Sequence, residues 1–534
     1  MIFWRVKTLD SILATAEKKS LQRSLDAWHL TLLGVGAIIG TGIFVLTAEA
    51  AQKAGPGMMI SFVIAGFVCA VAALCYSELS SMVPVSGSAY TYSYAVLGEL
   101  VAWLVGWALI LEYAVAASAV AVGWSGYFVG LLHNSLGIEI PAALANGPYA
   151  GGIINLPAVI ICLLVSGLLI IGTKESATFN AVLVAVKITA LTAFIALALP
   201  VLDAQHFQPF LPQGSTGVVA AASSIFFAYV GFDAVSTAAE ETRNPQRNVP
   251  IGLIGSLAIC TVFYLLVSAG AIGAVGAQPV MDPSGVSFPP GSKELVEQCQ
   301  SLAAAGPEPL VCSREALALV LRQIGWERIG NLIGLAAFLA LPSVVLMMLF
   351  GQTRVFFVMA RDGLLPEVLS RVHERFKTPH IVTALTGIAV TIAAAFLPVG
   401  KLADISNSGT LFAFMVVAFA VMILRTRDPN RSRPFRTPAI WLVGPVAVIG
   451  CITLFFFLPP DAKLVFPIWA AIGLVFYFLY GYRNSHVARG LVTPAGGEDI
   501  SPRTQKAAKQ SGLSLPGRDP PLPINSNRDG HRGD

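Results

Sequence analysis

The chain has 534 residues, of which 55% are hydrophobic and only 12% are charged, and its mean hydropathy is +0.72. This charged fraction is about half that of an ordinary soluble domain, which excludes a soluble globular protein. The net charge of +4 resides mainly in basic residues of alternate loops, so it does not indicate nucleic-acid binding. Apolar runs of spanning length recur without the alternation of a β-barrel, which predicts an all-α polytopic membrane protein.

The first apolar span is the most unusual stretch of the chain. It follows a predicted cytoplasmic segment, residues 1–29, which has no apolar core and cleavage site of a removable signal peptide. The span itself, residues 30–50, reads LTLLGVGAIIGTGIFVLTAEA and carries four glycines in its middle. Glycine favours unwinding, and unwound backbone within a membrane is tolerated where it lines a cavity, which predicts a broken helix at a binding site. Close helix packing is the alternative explanation of the same glycines.

Eleven further apolar segments follow, which gives twelve predicted transmembrane helices. The tyrosine-rich stretch between the second and third spans, residues 84–99, is predicted to be re-entrant or interfacial. The eleven spans cover residues 58–82, 99–131, 153–171, 177–199, 216–239, 251–275, 329–357, 381–397, 402–424, 440–458 and 464–482.

The transporter domain is predicted at residues 30–483 and divides into repeats. Two five-span halves, about residues 30–200 and 216–425, are predicted to form inverted repeats. Two extra helices follow at residues 440–483.

The loops fix the predicted orientation. Basic residues mark the N-terminal segment, the loops after spans four, six, eight and ten, and the tail, so both termini are predicted to be cytoplasmic in a cell (inner) membrane. The basic run at residues 425–438 is interpreted as an ordinary cytoplasmic loop, and residues 484–534 as a disordered tail. Residues 276–328 form a long external loop, in which Cys299 and Cys312 are either disulfide-bonded or free.

A second interruption lies in the sixth span. The sequence SIFFAYVGFDAVS places Gly231 and the acidic Asp233 within the apolar run. The sixth span opens the second repeat as the first span opens the first repeat. Two interrupted helices at matching positions indicate an inverted-repeat transporter whose binding site lies near the midplane of the membrane.

Broken helices expose backbone dipoles that suit a small zwitterion. N–H groups after the break attract a carboxylate, whereas carbonyl oxygens before it accept from an ammonium. An α-amino acid carries both groups close together, so it is the predicted ligand, and neither a metal nor a cofactor is predicted. The predicted binding residues are Ile38, Thr41, Gly42, Phe227, Ala228 and Val230, with the Thr41 hydroxyl helping to hold the carboxylate.

Two charged residues inside spans are candidates for proton coupling. Lys187 stands near the centre of the fifth span, where a charge costs about 2.5 kcal/mol or more and normally serves a function. Because burial favours neutral lysine, we predict that Lys187 carries the coupling proton; a lysine permanently bound to backbone carbonyls is the alternative. Glu112 is predicted to relay protons, to line the pocket, or simply to bind Tyr113 or a backbone donor. Asp233 either caps the break or acts in transport.

The eighth span supplies a candidate for selectivity. Leu341-Pro342-Ser343 interrupts its apolar run, and Pro342 predicts a kink. Leu341 is predicted to face the pocket. There it would favour small neutral side chains over cationic ones.

Four separated motifs occur in order: GVGAIIGTGIFV, SELSSMVPVSGSAYTY, FFAYVGFDAVSTAAEETRNPQRNVPIG and GQTRVFFVMARDGLLP. Together they resemble the bacterial cationic amino acid transporter subfamily of the amino acid, polyamine and organocation (APC) superfamily, over about residues 18–482. The resemblance implies the leucine-transporter fold, with a 5+5 inverted repeat plus two helices, and import of an L-amino acid with protons. It also implies that the six residues named above bind the substrate's main-chain groups and that Lys187 is linked to proton coupling. Cationic selectivity does not carry over from the subfamily's name.

The sequence therefore predicts secondary active transport of L-amino acids, by proton symport and alternating access. An amino acid exchanger is the nearest alternative, and a non-transporting membrane sensor is a third. An enzyme is disfavoured because the seven histidines are scattered over loops, edges and the tail. The predicted partners are an L-amino acid, the proton and the lipid bilayer, and a small single-span companion subunit is left open.

Overall fold

The computed structural model describes Arg5 and residues 25–83, 88–172, 177–376 and 378–490. The side chains of residues 177–179, 234, 237 and 240 are outside this description. The predictions for most of the N-terminal segment and for the disordered tail from residue 491 onward lie outside the described residues.

The described chain is built from apolar α-helices that follow one another along the sequence. Eight apolar helical stretches are long enough to cross a membrane, and four more are shorter. We label the twelve spans α1 to α12 and name the two membrane sides by the predicted topology. The uninterrupted helices are α2 (Met58–Met82), α3 (Glu99–Leu131), α4 (Leu156–Ile171), α5 (Ala177–Ala198), α7 (Pro245–Val275), α8 (Glu327–Arg361), α9 (His380–Phe396), α10 (Val399–Arg427), α11 (Ile440–Phe457) and α12 (Pro460–Phe476).

Two spans are broken, and they are the two that the glycines indicate. α1 consists of an inner helix, Ala27–Ile38, and of Thr41–Phe44 and Leu46–Ala54 after the break. α6 consists of Gly214–Ile225, the 3-10 turn Phe226–Tyr229, and after its break Ala234–Thr237 and the 3-10 turn Ala239–Glu241. Each repeat therefore begins with an interrupted helix.

Helix packing repeats with an offset of five helices. α2 packs against α7, α3 against α8 and α4 against α9. α1 packs on α7 while α6 packs on α2, and α3 packs on α10 while α8 packs on α5. Each of these contacts has a counterpart five helices along the chain, as expected for two five-helix inverted repeats. α11 and α12 both pack against α10, outside the two repeats.

The tyrosine-rich stretch after α2 contains the short helix Ser88–Val96. This helix packs against α3 and α10. The side chains of Tyr90, Tyr92 and Tyr94 are at most 1% exposed. The described part of the segment is therefore enclosed by protein, and the re-entrant and interfacial alternatives both stay predictions.

The predicted external loop is folded rather than extended. It contains the helices Lys293–Ala305 and Ala316–Gln323, and the second of these packs against α8. Cys299 and Cys312 form a disulfide, which the sequence left open. The loop therefore forms a cap that is tied to the helical domain.

The basic run between α10 and α11 is anchored to a buried carboxylate. Glu78 of α2 is 1% exposed and accepts hydrogen bonds from Nε and Nη2 of Arg425, both at 2.7 Å. Nε of Arg433 lies 3.2 Å from the same carboxylate, and the backbone N–H of Thr437 donates to it at 2.8 Å. A buried carboxylate needs such partners, so part of this run is bound to the helical domain, while its interpretation as a cytoplasmic loop stays a prediction.

Candidate functional site

The break in α1 lies at the glycine-rich position that the sequence predicts. The inner helix ends at Ile38, after which Ile39 is extended (φ −71°, ψ 97°) and Gly40 is also non-helical (φ −152°, ψ −142°). The helix resumes at Thr41. The first backbone N–H groups after the break have no acceptor within their own helix, so they can serve a ligand.

The break in α6 is centred on Val230 and Gly231. Val230 leaves the preceding 3-10 turn with φ −59° and ψ 137°, and Gly231 has φ +113°. A residue with a side chain rarely adopts such a φ, so glycine is required here. A Cβ added to Gly231 would also lie only 3.1 Å from the carbonyl carbon of Ala37 in α1.

The two breaks touch each other through their main chains. A Cβ added to Gly42 would lie 2.3 Å from the Cα of Ala228, so these two backbones approach as closely as glycine allows. Tyr264 of α7 bridges them, since its hydroxyl lies 2.9 Å from the Ile38 oxygen and 2.8 Å from the Ala228 oxygen. The hydroxyl has one proton, so it donates to one carbonyl at a time. Sequence reasoning missed Tyr264, because a tyrosine in an apolar span has no signal that separates it from a packing residue.

The structure brings the six predicted binding residues together around the breaks, and all of them are buried. Exposure ranges from 1% for Thr41 and Ala228 to 5% for Phe227. The Thr41 hydroxyl is buried and has no hydrogen-bond partner within the described ranges. Its side chain lies against α3, where a Cβ added to Gly123 would be 2.8 Å from the Thr41 methyl carbon. An orphaned hydroxyl beside the break is available to a ligand carboxylate.

Leu341 of α8 is fully buried, and Val344 of the same helix contacts the break. The side chain of Val344 lies 3.4 Å from where a Cβ on Gly40 would be. Leu341 and Val344 are three residues apart, so they share a face of α8. α8 continues through Pro342, so the predicted kink does not end the helix.

Lys187 of α5 reaches the inner helix of α1. Its side chain is 1% exposed, and Nζ donates to the carbonyl oxygen of Gly36 at 2.7 Å. Gly36 lies one turn before the break, on the face of α1 that also contacts Val184 of α5. The lysine therefore joins α5 to the part of α1 that borders the break.

Two buried carboxyl groups lie beside the break in α6. Tyr113 donates to Oδ2 of Asp233 at 2.7 Å, so the alternative that Tyr113 binds Glu112 is wrong. Glu112 is fully buried next to Asp233, and neither of its carboxyl oxygens accepts a hydrogen bond from the described residues. Among the described residues, no three His, Cys, Asp or Glu side chains lie close enough together to hold a metal ion.

A cavity of about 320 Å³ lies on the predicted extracellular side of the breaks. Its walls come from the outer part of α1, from α3 and from the folded external loop. Val45 and Gly123 line it, and Gly123 contacts Thr41. The cavity is therefore separated from the breaks by a single layer of residues.

Comparison with known proteins agrees with this architecture. The chain matches the amino acid permease family over residues 25–480. It is 43% identical to the branched-chain amino acid permease BcaP of Bacillus subtilis (strain 168) over 488 residues, which cover 91% of this chain and 98% of the relative. It is 42% identical to a methylthioribose transporter of the same organism over 485 residues, covering 90% and 98%. It is 36% identical to the vacuolar cationic amino acid transporter 2 of Arabidopsis thaliana over 438 residues, covering 80% and 64%. The chain is thus a transporter rather than an enzyme, and it belongs to the amino acid permease family of the APC superfamily.

Proposed function

We propose that this chain takes up neutral L-amino acids, the branched-chain ones in particular, by symport with a proton. The observation that carries the proposal is the contact between the two interrupted helices. It brings N–H groups that have no helical acceptor close to the Ile38 and Ala228 carbonyl oxygens, which share the single hydroxyl proton of Tyr264. Those groups match the carboxylate and the ammonium of an amino acid. The apolar side chains of Val230 and Val344 beside the breaks, and the name of the relative BcaP, support a neutral apolar substrate.

In the proposed cycle, α1 and α6 move around the bound amino acid and open the site to one side at a time. Charged Lys187 makes a charge-assisted hydrogen bond to Gly36, which holds the inner helix of α1 against α5. Loss of the proton weakens this bond to one between neutral groups and frees the inner helix to move. Glu112 of α3 lies next to Asp233 at the break in α6, and it is proposed to relay the proton.

The proposed topology places both termini in the cytoplasm and the folded loop outside the cell. The disulfide between Cys299 and Cys312 supports this orientation, because such bonds persist in oxidising compartments. Labelling of a cysteine introduced at exposed Arg328 by an impermeant reagent on intact cells tests it.

Proteoliposomes with an empty interior and an imposed inward proton gradient separate symport from exchange. Symport predicts that labelled L-leucine accumulates above its external concentration and leaks out when a protonophore is added. An obligatory exchanger takes up leucine only when the vesicles are preloaded with amino acid. Competition by L-lysine and by methylthioribose then tests the substrate class, and stronger competition by either than by L-valine would contradict the proposal.

Substitution of Lys187 tests the proton carrier. Lys187→Ala is expected to lose gradient-driven accumulation while it retains exchange of labelled for unlabelled leucine. Lys293→Ala removes an exposed lysine from the external loop and is the matched control. Accumulation by Lys187→Ala at the wild-type level would show that the proton binds elsewhere.

A further inference from the structure

A second cavity lies on the predicted cytoplasmic side, between the first turns of α7 and the basic run that precedes α11. Its volume is about 640 Å³. Arg247, Ile251 and Ile254 of α7 line one wall, and Pro434 and Phe435 of the basic run line the other. The cavity is therefore formed where two basic segments that are far apart in the sequence meet.

The α7 wall changes from polar to apolar along the helix axis. Gln246 and Arg247 lie in the first turn, before the apolar span that the sequence predicts from residue 251, whereas Ile251 and Ile254 belong to that span. At a rise of about 1.5 Å per residue, Arg247 and Ile254 are about 10 Å apart along the axis. The cavity therefore crosses the predicted boundary between the aqueous phase and the membrane.

Two arginines near the aqueous end of the cavity are not bound by a protein carboxylate. Arg247 is exposed, and so is Arg436, which directly follows Phe435 in the chain. Neither side chain forms an ion pair or a hydrogen bond among the residues that the structure describes. By contrast, Arg425 of the same basic run binds Glu78. Arg247 and Arg436 are therefore available to an anion from outside the chain.

The basic-run wall is fixed in place by α2. The backbone N–H of Phe435 donates to Oγ of Ser81 at 3.2 Å. On either side of Phe435, Arg433 and Thr437 both contact the buried carboxylate of Glu78. The wall is thus anchored at and around Phe435, which distinguishes this cavity from the surface of a loop that merely carries positive charge.

An apolar stripe of α7 continues from the cavity toward the middle of the membrane. Ile251 and Val262 are exposed at its two ends, with Ala258 exposed and Ile254 partly exposed between them. These positions are three or four residues apart, so they share one face of the helix. The stripe offers an extended acyl chain a continuous apolar surface that begins at the cavity.

We propose that this cavity binds an anionic phospholipid of the predicted cytoplasmic leaflet, with its phosphate at Arg247 and Arg436 and one acyl chain along the α7 stripe. Guanidinium groups bind phosphate oxygens through paired hydrogen bonds. Basic pockets between transmembrane helices on the cytoplasmic side suit acidic lipid headgroups. A zwitterionic phospholipid adds an ammonium group that the arginines repel, so the site should prefer acidic lipids.

Native mass spectrometry of the purified full-length chain measures this preference. The protein in neutral detergent is titrated with dioleoylphosphatidylglycerol and, separately, with dioleoylphosphatidylcholine, which has the same acyl chains. Wild type is expected to bind the first phosphatidylglycerol about tenfold more tightly than phosphatidylcholine. Arg247→Gln and Arg436→Gln should each weaken phosphatidylglycerol binding by about fivefold, and the double variant by about 25-fold. Arg371→Gln removes an exposed arginine from the loop after α8, on the same predicted side, and should bind like wild type.

Three results would overturn the inference. The first is equal affinity for the two lipids, and the second is wild-type binding of phosphatidylglycerol by the double arginine variant. The third is displacement of the bound lipid by millimolar glycerol 3-phosphate, because a soluble phosphate ester would then fill the site without an acyl chain. Arg436→Gln tests the cavity from its other wall should Arg247→Gln not fold.

Ile254→Trp tests the apolar part of the site separately, because it keeps both arginines and fills the cavity below them. It should weaken phosphatidylglycerol binding by about fivefold or more at an unchanged melting temperature, and wild-type affinity would contradict the placement of the acyl chain. None of these measurements involves amino acid transport. Failure of the lipid site would therefore leave the proposed function standing, and failure of the proposed function would leave the lipid site standing.

Discussion

Gly42→Ala is the sharpest test of the central site, because the added methyl group would meet backbone. The new Cβ would lie 2.3 Å from the Cα and 2.5 Å from the Cβ of Ala228. Carbon atoms in contact are normally about 3.5–4.0 Å apart, so α1 and α6 would have to separate by more than about 1 Å. A backbone atom cannot rotate away as a side-chain tip can. Overpacking of this kind costs about 1–3 kcal/mol, which lowers the population of the closed arrangement by a factor of roughly 5–160.

The assay is the initial rate of labelled L-leucine uptake into proteoliposomes, with the melting temperature of the same sample measured in parallel. Gly167→Ala in α4 is the matched control, since nothing lies within 4 Å of its added Cβ. Alanine normally stabilises a helix by about 0.5–1 kcal/mol over glycine, so the control should melt at the same temperature or higher and transport normally. Ala228→Gly combined with Gly42→Ala should restore little, because the nearest atom is a Cα. Wild-type uptake by Gly42→Ala would refute the contact between the two breaks.

Three further predictions concern contacts away from the substrate. Tyr264→Phe removes the donor shared by the Ile38 and Ala228 carbonyls, and it should lower the free energy of unfolding by about 1 kcal/mol. Tyr149→Phe, at an exposed tyrosine, is the control and should melt like wild type. Glu78→Gln leaves Arg425 and Arg433 without their carboxylate, so it should lower the free energy of unfolding by about 3–5 kcal/mol and clearly lower the melting temperature. Glu327→Gln changes an exposed glutamate and is the control. Replacing both Cys299 and Cys312 by serine removes a disulfide with a sequence separation of 13. Chain entropy predicts that this disulfide stabilises the folded state by roughly 3 kcal/mol. Limited proteolysis should then cut the loop faster, and unchanged protection would show that packing alone holds it.

Helix starts were predictable from sequence where glycine or proline directly precedes an apolar run. α2 and α3 have the predicted bounds, because Gly55-Pro56-Gly57 precedes the first and Gly98, with φ +98°, precedes the second. α7 instead begins at Pro245, well before the predicted residue 251. Its first turns are polar, and a helix can continue into water with residues that carry no apolar signal. Proline at the first helical position is the signal that could have placed this start.

The rotation of helices and their long-range partners were not predictable in the same way. The apolar run of α8 is hydrophobic on all sides, so periodicity gave no indication that Val344 contacts Gly40 of the break. Glu78 and Arg425 are 347 residues apart, and the local sequence around either residue does not indicate the other as its partner. Such pairs depend on which helices meet, and that follows from the repeat symmetry rather than from any single segment.

The four glycines of α1 show why one pattern supported two explanations. Gly40 alone leaves the helical conformation, and a Cβ there would make only an ordinary contact of 3.4 Å. At Gly34, Gly36 and Gly42 an added Cβ would lie 2.5 Å, 2.8 Å and 2.3 Å from atoms of α7, α5 and α6 respectively. Unwinding and close packing are therefore both correct, at different glycines. A helix that moves against three neighbours needs contacts without side chains of its own along its length and a break at one level. α1 has both. This division of roles implies that alanine at Gly40 should be tolerated better than alanine at Gly42.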